Sequence, residues 1–246
     1  MKPIKKLLNK SVAIVGLGNS WQDYNIAKSH GVHFDEVWAI NAVANVIFHD
    51  RVFMMDPASR FLDSDDAGAQ TSTMVKVLKE HQGPIYTCEK DERCPGLVEY
   101  PIKEVLRDTN SHYLNNTVAY AVAFAYWNSV RKVSLFGIDF TYKSNPMFAE
   151  AGRGCVEFWL SKCIAKGMEV DVAQRSSLLD ADIPAEDKLY GYHRLDDPLI
   201  AGHDSNKVLT AKRLSEVQSQ ANQQKQVGYL DRYDSHLKGP VEPKKY

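Results

Sequence analysis

Short apolar runs alternate with longer amphipathic segments over the first two thirds of the chain. The run Ser11–Val15 is β-branched and apolar and stops at a glycine, a pattern typical of a strand buried on both faces. Similar runs predict strands over 36–40, 51–55, 84–88, 132–136 and 168–172. Segments with helical spacing between them predict helices over 21–30, 72–81, 118–127 and 154–166.

This alternation predicts an α/β fold: a doubly wound, mostly parallel Rossmann-like sheet with helices on both faces and a helical C-terminal extension. The helix over 118–127 is apolar nearly all round, so we expect it to lie inside the core. Residues 94–110 have no strong period and give no predicted element.

The pattern changes near residue 180, where the sequence becomes polar. We expect residues 1–180 to form a nucleotide- or nucleotide-sugar-binding catalytic domain, and residues 181–237 to form a polar, helical extension. A Gln-rich helix predicted over 207–225 is interpreted as a packing element or a homo-oligomer contact. Residues 238–246 have the composition of a disordered tail.

Composition excludes several classes of protein. The 246 residues are 44% hydrophobic and 25% charged with a formal charge of −1, so a strongly basic footprint for nucleic acid is absent. No apolar run approaches the roughly 18 residues of a membrane span, and no apolar region follows the basic N-terminus. Four cysteines lack metal-site spacing. We therefore expect a cytoplasmic protein without a membrane span, a metal or a disulfide framework.

Candidate ligand-binding residues follow the predicted strands, because ligands in doubly wound folds bind beyond the carboxyl ends of the strands. Glycines let a backbone approach a phosphate, and a helix N-terminus supplies free N–H donors. The residues at these ends are Gly16, Gly18, Asn19 and Ser20 after the first strand, then Asn41, Asp56, Gly137 and Asp139. A tight strand-to-helix turn without a ligand is the alternative interpretation of the glycines.

The type of nucleotide can be narrowed from the same positions. A dinucleotide fingerprint needs a third glycine where Trp21 stands and an acidic residue near the end of the second strand, where Asn41 stands. No Gly-Lys-Ser/Thr sequence of a P-loop occurs. The pattern therefore favours a mononucleotide-linked ligand over NAD or P-loop ATP.

Several polar residues carry two interpretations each. Asp139 either contacts a ligand or accepts a proton from an acceptor hydroxyl, or it caps local backbone N–H groups. Asp56 has the same two interpretations. The segment from Asp63 to Asp65 resembles a metal-binding pair but is interpreted as a solvated loop or helix start. His193 is a candidate proton acceptor and Arg194 a candidate phosphate partner.

Three segments together resemble a known family. They are Val-Ala-Ile-Val-Gly16-Leu-Gly18-Asn19-Ser20, the strand ending at Asn41, and the run from Asn116-Thr117 through the apolar helix to Gly137-Ile-Asp139-Phe140. Together they are similar to the bacterial sialyltransferases of glycosyltransferase family 42 and to domain of unknown function 115, which includes the MptE-like 6-hydroxymethylpterin diphosphokinases. Similar short proteins are encoded by tailed phages.

The resemblance implies roles for individual positions. It implies donor contacts for Gly18, Asn19, Ser20 and Asn41, a donor pocket lined by Asn116 and Thr117, and a tyrosine at the leaving phosphate, here Tyr142. The family's general-base histidine has no counterpart between Asp139 and Gly154. Glu150 or His193 would have to replace it.

We therefore expect a metal-independent glycosyltransferase that needs no cofactor beyond a CMP- or UDP-linked sugar donor. Its acceptor would be a glycan or a modified DNA base. One alternative is a diphosphokinase using ATP and Mg²⁺, with Asp56, Asp63 and Asp65 as ligands. The other alternative is a non-catalytic nucleotide-binding module.

Overall fold

A computed structural model describes residues 1–65, 68–141, 146–184, 199–203, 209–213 and 216. The chain divides after Ile183 into two units, residues 1–183 and residues 184–246. The first unit contains a seven-stranded sheet in the order β5-β4-β3-β2-β1-β6-β7, in which every neighbouring pair is parallel. The predicted doubly wound, parallel α/β fold is confirmed.

The elements of this unit alternate along the chain. The strands are β1 Ser11–Val15, β2 Glu36–Ile40, β3 Arg51–Phe53, β4 Ile85–Thr87, β5 Leu97–Glu99, β6 Lys132–Phe136 and β7 Glu169–Val172. The helices are α1 Gln22–Ser29, α2 Ser59–Leu62, α3 Thr71–Glu80, α4 Ile102–Thr109, α5 Thr117–Trp127 and α6 Pro146–Ala165. None of the described helices has both the length and the apolar character needed to cross a membrane.

Strand side chains alternate between two core layers, as the pleat of a sheet requires. Val12 and Ile14 of β1 belong to the layer that contains α4, α5 and α6. Ala13 and Val15 belong to the opposite layer, with residues of α1 and α3. Because both faces are covered, all five residues of β1 are buried. The buried helix predicted over 118–127 is confirmed as α5, where eight of eleven residues are buried.

Two regions differ from the sequence-based expectations. Residues 94–110, which gave no predicted element, contain β5 and α4; these are short, and α4 buries only Val105 and Thr109. The helix predicted over 154–166 begins eight residues earlier, at Pro146. Gly152 and Gly154 suggest a helix boundary in the sequence, but both lie inside α6.

The second unit is described only in part. Leu199–His203 (β8) and Leu209–Arg213 (β9) form an antiparallel pair. Residues 209–213 are therefore a strand where the Gln-rich helix over 207–225 was expected to begin, and pairing with β8 satisfies their backbone groups. Apart from residue 216, the rest of that helix lies outside the described residues, as does the predicted tail over 238–246.

Candidate functional site

The sheet reverses its strand order between β1 and β6, and a crevice lies above this point. One cavity of about 300 Å³ and a second of about 680 Å³ lie over the carboxyl ends of the strands. Ile40, Asn41, Val118 and Phe140 line both cavities, so the two are neighbouring parts of one crevice. This is where doubly wound sheets bind their ligands.

Most of the predicted site residues converge on this crevice. The first cavity is lined by Gly16, Gly18, Asn41, Gly137 and Asp139. The second cavity is lined by Asn41, Asp56, Asn116 and Thr117. Residues from four strand ends and from the start of α5 are thus brought to one edge of the sheet.

The turns after β1 and β6 interlock through Ser20 and Asp139. The Asp139 carboxylate accepts from the Ser20 N–H at 2.8 Å and from the Ser20 hydroxyl. The Ser20 Oγ in turn accepts from the Gly137 N–H at 2.9 Å, and the Gly18 N–H donates to the Gly137 carbonyl at 2.8 Å. Ser20 is fully buried and Asp139 is 4% exposed. Asp139 therefore accepts from one backbone N–H, that of Ser20, which is distant in sequence and not local as the alternative interpretation expected, and a contact between Asp139 and a ligand or proton stays a prediction.

The glycines of both turns are required by this close approach. A Cβ on Gly16 would lie 2.6 Å from the Gly137 carbonyl oxygen, and a Cβ on Gly18 would lie 2.6 Å from an Asp139 carboxylate oxygen. Gly137 also has φ +66°, which favours glycine. Contact between the two turns is thus sufficient to explain the Gly-x-Gly sequence, as the alternative interpretation stated.

Asn41 contributes a buried polar atom to the crevice. Its backbone is left-handed, with φ 52°, and it begins a 3₁₀-helix over Asn41–Asn45. Its Oδ1 atom accepts no hydrogen bond from any residue that the structure describes. A buried acceptor without a donor costs about 1–3 kcal/mol, so a donor group on a bound molecule would relieve that cost.

Phe140 also lines both cavities and has a strained backbone conformation. Its φ is 47°, which is unusual for a bulky residue. The ring lies against Gly152 of α6, where a Cβ would approach to 2.6 Å of the Phe140 Cε1 atom. Strained non-glycine residues cluster at functional sites, so Phe140 and Asn41 mark the crevice independently of their chemistry.

The second cavity carries the positive features of the site. Asn116 caps α5 by accepting from the Ala119 N–H at 3.0 Å, and its amide donates to the Gly152 carbonyl at 3.1 Å. Thr117 and Val118, the first residues of α5, line the cavity, so the positive end of that helix dipole lies at the crevice. Arg60 also lines the cavity and forms an ion pair with Asp56.

Other predicted site residues lie away from the crevice or outside the described residues. Asn19 is exposed, and Glu150 is exposed on α6 and lines neither cavity. The helix predicted over 154–166 leaves Glu150 outside, but α6 includes it; its role as a general base stays a prediction. Tyr142, His193 and Arg194 lie outside the described residues, so their predicted roles are not tested.

The acidic residues proposed as magnesium ligands are separated. Asp63 and Asp65 line a different cavity, of about 640 Å³, and Asp63 pairs with Arg93 at 2.7 Å. The guanidinium of Arg93 lowers the pKa of Asp63. Within the part of the chain that the structure describes, no group of three His, Cys, Asp or Glu side chains has metal-site geometry.

Sequence reasoning missed several residues of the crevice, three of which carry polar groups of interest. Gln70 lines the first cavity, and Arg60 and Tyr120 line the second. Arg60 forms an ion pair with Asp56, which precedes α2, so helical spacing gives no signal for it in the sequence. Burial raises the pKa of Tyr120, so this phenol lines the cavity as a neutral group at pH 7.

Comparisons with known proteins identify no relative. No protein-family model matches the chain, and neither a search of the curated proteins nor one of the solved structures finds a match. The resemblance to the sialyltransferases and to domain of unknown function 115 therefore stays a prediction.

Proposed function

We propose that the crevice binds a nucleotide-linked small molecule. The observation that carries the proposal is the buried, unpartnered Oδ1 of Asn41 at the switch point of the sheet. A ribose hydroxyl or a base amino group is a donor that would satisfy it. The cavities fall within the roughly 300–1,000 Å³ of small-molecule sites.

The charge distribution in the crevice supports a phosphate at its second cavity. The start of α5 presents a helix N-terminus there, and Arg60 supplies a guanidinium beside Asp56. A ligand with its nucleoside at Asn41 and its phosphate toward Arg60 would span both cavities. Asn41 is neutral where NAD-binding folds carry an acidic residue, which favours a mononucleotide over a dinucleotide.

For the reaction, we propose metal-independent glycosyl transfer from a CMP- or UDP-linked sugar. The bond between the anomeric carbon and the phosphate oxygen breaks as an acceptor hydroxyl attacks that carbon, the nucleotide leaves, and the hydroxyl proton passes to a carboxylate or a histidine such as His193. The guanidinium of Arg60 and the start of α5 support this proposal because they would stabilise the departing phosphate without a metal. The separation of Asp56 from Asp63 and Asp65 disfavours the diphosphokinase alternative. The acceptor, a glycan or a modified DNA base, stays a prediction.

A non-catalytic nucleotide-binding module is the second candidate. It is favoured by Asp139, whose carboxylate is occupied by Ser20, and by the exposed position of Glu150 outside the crevice. Release of free nucleotide from a nucleotide sugar, with and without an acceptor, distinguishes the two candidates. Turnover supports the transferase, and binding without turnover supports the module.

A thermal-shift screen against CMP, UDP, GDP, ATP and NAD, each with Mg²⁺ or EDTA, tests the binding proposal. A ligand that binds only the folded state raises the melting temperature. We expect a shift with CMP or UDP that persists in EDTA. A shift with ATP and Mg²⁺ alone would favour the diphosphokinase, and no shift with any nucleotide would contradict the proposal.

The Asn41→Gly variant tests the contact itself. Glycine adopts the left-handed backbone of Asn41 and removes only the amide. Loss of one hydrogen bond worth about 0.5–1.5 kcal/mol predicts a roughly 2- to 12-fold higher Kd. Asn19→Gly is the matched control because Asn19 is exposed and lines neither cavity. Equal affinity of Asn41→Gly and the parent chain would contradict the assignment.

A further inference from the structure

Two histidines form a direct contact at the side of the sheet where α3 ends and β3 and β4 begin. The Nε2 atoms of His49 and His81 lie 2.8 Å apart, and the two rings are within 15° of parallel with centroids 4.9 Å apart, so they meet edge to edge. His49 belongs to the segment that returns from β2 to β3, and His81 follows the last residue of α3. The pair thus connects residues 41–50 to α3.

The remaining ring nitrogens fix the tautomers of the neutral pair. The His81 Nδ1 accepts from the Gly83 N–H at 2.8 Å, so the proton of neutral His81 is on Nε2. The His49 Nδ1 lies 2.8 Å from the Ile47 carbonyl oxygen, so it is the protonated nitrogen of His49. The His81 Nε2–H therefore donates to the bare Nε2 of His49.

This arrangement has no place for an added proton. A proton on His49 Nε2 would face the N–H of His81 across 2.8 Å. A proton on His81 Nδ1 would face the Gly83 N–H across 2.8 Å. Moving the His81 proton from Nε2 to Nδ1 also places it against the Gly83 N–H. A metal ion bound between the two Nε2 atoms would force the same move, so it would break the hydrogen bond from the Gly83 N–H.

We propose that His49 and His81 form a pH-sensitive latch, closed when both rings are neutral, that holds residues 46–49 against the end of α3. The latch opens when either histidine is protonated. Burial and the neighbouring His49 ring both lower the pKa of His81, which agrees with the geometry.

Ala42 and Val43 are buried in the core layer of α3, whereas residues 46–49 have few other anchors beside the latch. Val46 is 55% exposed and Phe48 is 84% exposed, so neither contributes a well-buried side chain. Ile47 is partly buried against the core, and the Asp50 N–H donates to the Val37 carbonyl at 2.7 Å. Opening of the latch therefore leaves residues 46–49 held mainly at their two ends.

Charged groups on the surrounding elements do not compensate a proton on the pair. The Asp50 carboxylate accepts from the Val37 N–H, and the Glu36 carboxylate is paired with Arg51. On α3, Lys79 and Glu80 are exposed. The loop before β5 contributes Asp91 and Arg93, which pair with each other. Among the described residues, His49 is the electrostatic neighbour that affects His81, and no carboxylate does.

The latch also reaches the crevice through both elements that it joins. Asn41 begins the returning segment, and Gln70 directly precedes α3; both line the first cavity. If the proposed function holds, opening of the latch weakens nucleotide binding at acidic pH. The latch itself does not depend on that function and is tested without any ligand.

Long-range ¹H–¹⁵N spectra of the histidine rings at pH 8 test the tautomers. We expect the Nε2–H form of His81, the Nδ1–H form of His49, and a His81 titration below the ordinary value of about 6.5. The Nδ1–H form of His81, or its titration at or above 6.5, would overturn the proposal.

Urea unfolding at pH 8 and pH 5.5 tests the effect on the fold. A histidine that stays neutral in the folded state and has a pKa of about 6.5 when unfolded lowers the folding equilibrium constant roughly tenfold at pH 5.5. We expect His81→Gln to lose about one such tenfold step of the parent's pH dependence, and the exposed-residue control His33→Gln to keep it. If both variants show the parent's pH dependence, the latch is refuted.

Discussion

Replacement of Ser20 by alanine tests the interlock of the two glycine turns. The Ser20 hydroxyl donates to the Asp139 carboxylate and accepts from the Gly137 N–H, and the side chain is fully buried. The variant loses a hydrogen bond to a charged group, worth about 1.5–3 kcal/mol, and leaves a buried N–H unsatisfied at a cost of about 1–3 kcal/mol. Since the Ser20 N–H still donates to Asp139, we expect a net loss of roughly 3–5 kcal/mol.

Urea unfolding followed by tryptophan fluorescence measures this loss. With a denaturant dependence of about 1–3 kcal/mol per molar urea, the midpoint of Ser20→Ala should fall by more than about 1 M. Asn19→Ala, at the exposed neighbouring position, should stay within about 0.5 kcal/mol of the parent chain. In a double-mutant cycle, Ser20→Ala and Asp139→Ala together should cost less than the sum of the two single changes.

An unchanged midpoint for Ser20→Ala would refute the interlock, and Asp139 would again be a candidate ligand contact. If the interlock holds, loss of ligand binding in Asp139→Ala reports a distorted turn as well as any lost contact. Ligand binding by Asp139 variants must therefore be compared with their stability. Asn41→Gly avoids this problem on the oxygen side, because the Oδ1 atom that it removes makes no hydrogen bond within the described residues.

Two further predictions concern single contacts. The Ser11 N–H, with Lys10 and the Ser11 hydroxyl, holds the pKa of Asp35 well below its usual range. The stabilisation of the folded state by ionised Asp35 is therefore complete above about pH 4 and is lost as the pH falls further. In urea unfolding, Asp35→Asn should be less stable than the parent at pH 7, and the difference should shrink by pH 3. A Cβ on Gly152 would meet the Phe140 ring at 2.6 Å, so Gly152→Ala should cost about 1–3 kcal/mol in the same assay. The control Gly154→Ala meets only the Tyr113 hydroxyl at 3.8 Å and should be neutral or more stable by up to about 1 kcal/mol; a Gly152→Ala variant as stable as this control would contradict the Phe140 contact.

The fold could be predicted where burial dominates the sequence pattern. β1, β2 and β6 are mostly apolar and are buried after their first residue or throughout because both faces of the sheet are covered, and their predicted bounds match the structure. β5 and α4 were missed because a three-residue edge strand and a short helix with two buried positions leave little periodicity. The early start of α6 was missed because Gly152 suggests a helix boundary, whereas it is a glycine that leaves room for the Phe140 ring.

The position of the candidate site could be predicted from the sequence, but the hydrogen bonds within it could not. The rule that ligands lie beyond strand ends brought Gly18, Asn41 and Asp139 together correctly in one crevice. Which of them are free for a ligand depends on contacts distant in sequence: Ser20 and Asp139 are 119 residues apart. Nothing local in the sequence distinguishes the occupied Asp139 carboxylate from the unpartnered Asn41 amide oxygen.

A crystal structure with the nucleotide that gives the largest thermal shift tests the central claim most directly. The account predicts nucleotide density in the crevice between Asn41 and Phe140, with a donor atom of the ligand within about 3.2 Å of the Asn41 Oδ1. Its phosphate should lie toward Arg60 and the start of α5. A bound nucleotide elsewhere on the protein, or one in the crevice that leaves the Asn41 Oδ1 without a partner, would contradict it.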